Sequence, residues 1–172
     1  MINVEEVRDA YKREEILTEA HRTAIFGQLN RFRELPESWD GEGANPINDR
    51  TIENSQRLIE SAIDILPVPI IDVNPNGTVS FEWQTESGVA YLEVGRTAFG
   101  LFVELGGDVV FHVRETVSQP DWRFLWRFGI VAQYLGVSAP STKWHSFTDW
   151  IFNELPERKS WPEQQRYWTA FA

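Results

Sequence analysis

The spacing of apolar and polar positions changes character along the chain. From Val4 to Leu35, the residues Ile16, Ala20, Ile25, Leu29 and Phe32 fall close to one stripe, with Glu, Arg and Lys elsewhere, which is the period of an amphipathic helix. Leu35-Pro36 ends it, because a residue before proline is driven out of the helical region. A second helix is predicted from Asn48, a good N-cap, to Leu66, burying Ile52, Ile59, Ala62, Ile63 and Leu66, with Pro67 and Pro69 as its stop.

Beyond Pro69 the period falls to two. Ile70–Val73, Val79–Trp83, Val89–Val94, Ala98–Leu105 and Val109–Glu115 are short β-branched or aromatic runs parted by turn residues. Asn76-Gly77 suits a tight hairpin turn that needs positive φ. Connections this short carry no parallel crossover, so the runs predict an antiparallel meander. Parity sets Phe81, Trp83, Leu92, Val94, Phe99, Leu101, Val103, Phe111 and Val113 on one face, against the first two helices. The second face carries Glu82, Tyr91, Glu93, Phe102, Glu104, His112 and Arg114.

Helix returns after the strands. Ser118-Gln119-Pro120-Asp121 has the cap, early proline and acid that open a helix running to about Leu135, apolar on more than one side. Two shorter helices, Ser146 to Leu155 and Trp161 to Ala170, follow a linker. The expected fold class is α+β: N-terminal helices packed on a four- to five-stranded antiparallel meander, followed by a helical Trp-rich C-terminal region. In domain terms this reads as an acidic α+β core over 1–115 and a helical aromatic-rich extension over 116–172, packed on or next to the core.

Composition narrows the function classes. There is no cysteine among the 172 residues, which removes disulfides, thiolate chemistry and Cys-ligated metals. No apolar run has the length of a secretion signal or a membrane span, so a cytoplasmic protein is expected, in which the sequon Asn76-Gly77-Thr78 carries no glycan. The net charge of −10 repels phosphate backbones and argues against direct nucleic-acid binding. The excess is local: residues 34–115 hold fifteen acids and four bases, while both flanking segments are close to neutral. Six of the eight tryptophans (Trp122, Trp126, Trp144, Trp150, Trp161 and Trp168) lie in the last third.

Between the first two helices runs Trp39-Asp40-Gly41-Glu42-Gly43-Ala44-Asn45-Pro46. Gly41 and Gly43 permit angles closed to other residues, Asp40 can accept from amides two residues on, and Trp39 can anchor the loop, so these four are read as a structural loop. This loop, with the Asn76-Gly77 hairpin and the strand ending Phe81-Glu82-Trp83, resembles small uncharacterised bacterial proteins. These share a Trp-Asp-Gly-x-Gly-Ala-x-Pro loop and an Asn/Asp-Gly hairpin leading to a Glu-Trp strand. The resemblance covers roughly residues 30–105, implies an α+β core and a bacterial or phage origin, and brings no catalytic residues.

Several constellations invite chemistry. Carboxylates with His112 on the second sheet face could make a small hydrolase-like or metal-dependent enzyme, although such residues more often form a solvated surface. Asp40, Glu42, Asn45 and Asp49 miss the calcium-loop pattern, because Ala44 occupies a ligand position. His21, His112 and His145 lack zinc spacing, and no nucleotide or nucleophile-elbow motif occurs. No metal and no cofactor is therefore expected.

The C-terminal tryptophans have two readings. They fill a core over the second sheet face, covering Tyr91 and Phe102, or they form a partner-binding patch. The sequence favours binding over catalysis: an inhibitor, antitoxin or immunity-like protein recognising a basic protein partner. Candidate contact residues are Trp122, Trp126, Trp150, Trp161, Trp168, Tyr91, Phe102, Glu82, Glu93 and Glu104. A DNA-mimic inhibitor is a further alternative, requiring acids such as Glu53, Glu60, Glu82, Glu86 and Glu93 in rows on one face. Homo-oligomerisation stays open, and no membrane contact is expected.

Overall fold

The computed structural model describes residues 4–63, 65–117 and 122–136, with side chains for 18–63, 65–117 and 127–136. The chain divides into two compact units, Met1–Pro140 and Ser141–Ala172. The second unit, with Trp144, Trp150, Trp161, Trp168 and the two predicted short helices, lies outside the described residues.

The order of elements in the first unit is α1 (Val4–Phe32), α2 (Asp49–Glu60), β1 (Ile70–Val73), β2 (Val79–Gln84), β3 (Val89–Val94), β4 (Ala98–Leu105), β5 (Asp108–Thr116) and α3 (Trp122–Tyr134). The five strands pair antiparallel in sequence order, a plain meander as the short connections required. Where the sequence suggested a boundary near residue 115, the compact unit continues through α3.

Both N-terminal helices stop short of their expected ends, α1 at Phe32 rather than Leu35 and α2 at Glu60 rather than Leu66. After Phe32 the backbone tightens into bonds three residues back, from Arg33 to Asn30, Glu34 to Arg31 and Leu35 to Phe32, the usual fraying of a helix into a narrower last turn ahead of Pro36. α2 opens on Asn48, whose side chain accepts from the amide of Arg50, and closes at Ser61. Residues 61–63 and 65–66 form turns and a bend that still bury Ala62 and Leu66. In α1 Ile25 and Leu29 are buried and Phe32 half-buried; Ala20, placed in the same stripe by its spacing, is exposed.

The first sheet face is the core. Phe81, Trp83, Leu92, Val94, Phe99, Leu101 and Val103 are buried there, while Phe111 and Val113 on the outer strand are half-buried. Trp83 stacks near Phe81, and its indole nitrogen donates to the carbonyl of Pro67 at 2.8 Å, so burying the ring leaves no unpaired donor.

All three described helices lie over this face. From α1, Gln28 donates to the carbonyl of Ile71 on the edge strand β1. The fully buried Asn54 of α2 donates to the carbonyls of both Gly95 and Arg96, fastening the helix to the β3–β4 turn. From α3, Phe128 meets Trp83 edge-on with centroids 6.2 Å apart, and Arg127 sits over the Phe99 ring while pairing with Glu115.

The placement of α3 bears on one of the two readings of the C-terminal tryptophans. A helix covering Tyr91 and Phe102 would have to lie over the second sheet face, but Phe128, Val131, Ala132 and Leu135 are buried on the first. The side chains of Trp122 and Trp126 lie outside the described residues. Physically, α1 and α2 reach the sheet through β1, β2 and β3, leaving the β4 end of the apolar face for α3 to cover.

Candidate functional site

The pairing register decides which side chains on the second sheet face are neighbours. One row crosses all five strands as Ile70, Glu82, Tyr91, Phe102 and His112; the next runs Asp72, Ser80, Glu93, Gly100 and Arg114; a third begins Gln84, Val89 and Glu104. Residues opposite each other stand about 5 Å apart, so Tyr91 and Phe102 touch. Their rings stack with centroids at 5.3 Å and an interplanar angle of 30°. Both are half-buried, as are Glu82 and Glu93, whereas Asp72 and Glu104 are exposed.

The face is polarised. Acids sit on β1 to β4 and the two basic positions, His112 and Arg114, on β5. Asp72, Glu82, Glu93 and Glu104 make no ion pair among the described residues. Elsewhere carboxylates do find partners: Glu19 and Glu60 with Arg22, Asp49 with Arg33, Glu53 with Arg50, and Glu115 with Arg127. Among the described residues Glu34, Glu37, Asp40, Glu42, Glu86 and Asp108 of the loops and strand ends also lack an ion pair; the four on this face are those that share it with an aromatic pair.

Glu93 is the best-ordered of these acids. One of its oxygens accepts from the Thr78 hydroxyl at 2.6 Å and from the Asn76 amide at 3.2 Å. The Thr78 backbone amide donates to the Asn76 side-chain oxygen, and the hydroxyl, whose single proton serves one acceptor at a time, lies within hydrogen-bond distance of that oxygen as well as of Glu93. The hairpin tip thus orients a carboxylate on the neighbouring strand β3. The sequence reads Asn76-Gly77 as a turn and Asn76-Gly77-Thr78 as a sequon without a glycan; the side-chain network through Thr78 is visible only in the structure. Glu82 accepts from Gln84 on its own strand.

The same register separates Glu82 and Glu93 from His112, while Glu104 lies on the adjacent β4, two residues along from the Phe102 opposite His112. Glu82 and His112 stand three strand spacings apart, roughly 14 Å, with the Tyr91 and Phe102 rings between them. Among the described residues no three His, Asp or Glu side chains lie close enough together to hold a metal ion. A small cavity of about 10 Å³ lies on the helix side, lined by residues including His21, Ile25, Ile59 and Trp83. It accommodates about one water.

The loop between α1 and α2 behaves as its residues suggest. Asp40 accepts from the amides of Glu42 at 2.9 Å and Ala44 at 3.0 Å. These bonds, the one from Ala44 first, hold its carboxyl below the ordinary 3.8. Gly41 and Gly43 take φ of 78° and 99°, and Ser38 a left-handed 58°, tolerated with its amide bonded to the carbonyl of Ala44. Trp39 is half-buried, and its indole nitrogen is sealed from solvent with no acceptor among the described residues. The loop docks on the hairpin, since Asn45 donates to the carbonyl of Pro75 and Gly77 packs against Pro46. The two motifs noted in the sequence are therefore neighbours in space.

No described helix is long and apolar enough to cross a membrane. Comparison with known proteins returns no match: no family model, no curated protein and no solved structure.

Proposed function

We propose that the protein works by binding a basic protein partner through the second sheet face, in the manner of an inhibitor, antitoxin or immunity protein. The observation that carries this reading is the set of four carboxylates, Asp72, Glu82, Glu93 and Glu104, which share the sheet face of the Tyr91–Phe102 stack and have no ion-pair partner among the described residues. An aromatic centre with a charged rim has the composition of an interface hot spot. The unneutralised acids steer a cationic surface toward it and disfavour nucleic acid. In this proposal the protein is cytoplasmic, and the tryptophan-rich C-terminal part, including Trp122, Trp126, Trp150, Trp161 and Trp168, adds apolar contact. Kinship with the small bacterial proteins that the Trp39–Pro46 loop resembles belongs to the same proposal.

Two competing readings find less support. An enzyme needs Glu82, Glu93 or Glu104 to converge with His112, and the register puts Glu82 and Glu93 on strands not adjacent to β5, leaving only Glu104, on β4, on a neighbouring strand. A DNA mimic needs its acids on one side, whereas Glu53 and Glu60 ride on α2, over the opposite face of the sheet from Glu82 and Glu93.

The test is affinity capture from a lysate of the source organism, run in parallel with the wild-type protein and with a Glu82→Gln/Glu93→Gln/Glu104→Gln variant. Wild type is expected to retain a specific basic protein that elutes as salt rises from 0.1 to 0.5 M and the screening length falls from about 10 to about 4 Å. The variant is expected to retain little. Equal retention by both would refute the assignment of this face.

A further inference from the structure

The hairpin between β1 and β2 carries the one Asn-Gly dipeptide of the chain, and its hydrogen bonds bear on a reaction that Asn-Gly sequences undergo without an enzyme. In that reaction the backbone nitrogen of the glycine gives up its proton and attacks the side-chain carbonyl carbon of the asparagine. The new nitrogen–carbon bond closes a succinimide as the bond to the side-chain nitrogen breaks, and ammonia leaves carrying a proton from water. Water then opens the ring at either carbonyl, giving aspartate or isoaspartate. Glycine in the second position favours closure because no side chain obstructs the attacking nitrogen.

In the folded hairpin each atom required for closure is engaged. The Gly77 amide donates to the carbonyl of Asn74 at 2.9 Å, so its proton is held. The side-chain oxygen of Asn76 accepts from the Thr78 amide at 3.1 Å and lies 2.7 Å from the Thr78 hydroxyl, whose one proton it shares with Glu93, and its nitrogen donates to Glu93 at 3.2 Å. Gly77 is further held by Pro46 and Asn45 of the loop docked on the hairpin, which lie within 3.5 Å of where a side chain would begin. Turning the Asn76 amide toward the Gly77 nitrogen breaks its bonds with the Thr78 amide and Glu93 together and takes it from the Thr78 hydroxyl, although Asn76 itself is solvent-exposed.

We propose that Asn76 is a deamidation site gated by the fold: intact while the hairpin is closed, and converted by water to aspartate or isoaspartate when the hairpin opens. The conversion is self-reinforcing. A carboxylate at position 76 no longer donates to Glu93 but faces it as a like charge, and an isoaspartate lengthens the backbone of a turn whose bond from Asn74 to Thr78 depends on its length. Opening is thereby favoured after the first event.

The experiment follows Asn76 by peptide mass mapping of the full chain at neutral pH, folded and in urea, alongside hydrogen exchange of the hairpin amides. Conversion is expected to be at least about tenfold slower in the folded protein, and to rise with denaturant in parallel with exchange of the Gly77 amide, because both report the same local opening. Thr78→Val, which removes the hydroxyl bonds to Asn76 and Glu93, is expected to raise the folded-state rate several-fold. Equal rates in folded and unfolded protein would overturn the gate, and so would an unchanged rate in a folded Thr78→Val variant. Absence of conversion even in urea would overturn the site. Should Thr78→Val not fold, the denaturant series on the wild-type chain decides alone.

Discussion

At the scale of single residues, Asp40 offers a test that needs no partner. Its carboxylate stabilises the loop only while ionised, since the amides of Ala44 and Glu42 donate to the charged form. A folded value lowered from 3.8 means that the stabilisation is complete above pH 3.8 and is lost as pH falls through the lower folded value. An NMR titration should show the Glu42 and Ala44 amide shifts moving with a midpoint below 3.8, and Asp40→Asn should abolish that transition. Gly88 is the other telling residue. A Cβ there would stand 2.1 Å from the carbonyl oxygen of Glu104, so backbone, not a pliable side chain, blocks it. Gly88→Ala is expected to cost about 2 kcal/mol or more in urea unfolding.

Among elements, α3 shows why some of the fold was legible in the sequence and some was not. The five strands and their order followed from alternation and turn chemistry, because a side-chain period of two and a loop too short to cross over leave little choice. The side on which α3 packs did not follow. A helix apolar on more than one side carries no directional signal, and only the contact of Phe128 with Trp83 and of Arg127 with Phe99 decides it. Asn54 was hidden for a related reason: a polar residue within a helical stripe reads as solvent-facing until the carbonyls of Gly95 and Arg96 are found above it. If α3 belongs to the first unit's core, Phe128→Ala should destabilise the sheet itself by about 3 to 5 kcal/mol. The measurement is denaturation followed by the exchange of strand β3 and β4 amides. Loss confined to α3, with the strand amides unaffected, would separate the helix from the core.

For the molecule as a whole, charge separates the two sides of the sheet by kind of partner. Over the first face, acids on the helices are met by Arg22, Arg33 and Arg50; on the second, Asp72, Glu82, Glu93 and Glu104 are not met within the described residues. Composition alone disclosed the excess, fifteen acids over four bases across 34–115, but not its distribution. Strand parity came nearer, assigning Glu82, Tyr91, Glu93, Phe102 and Glu104 to one side. Only the register showed the two rings stacked at the centre and Glu82 far from His112. The account stands most directly on where a cation binds. Titrating the full chain with an arginine-rich peptide while recording amide and aromatic shifts at low salt is expected to move Glu82, Tyr91, Glu93, Phe102 and Glu104 together, with Glu53 and Glu60 unmoved. Shifts centred on α2, or spread evenly over both sides of the sheet, would contradict it.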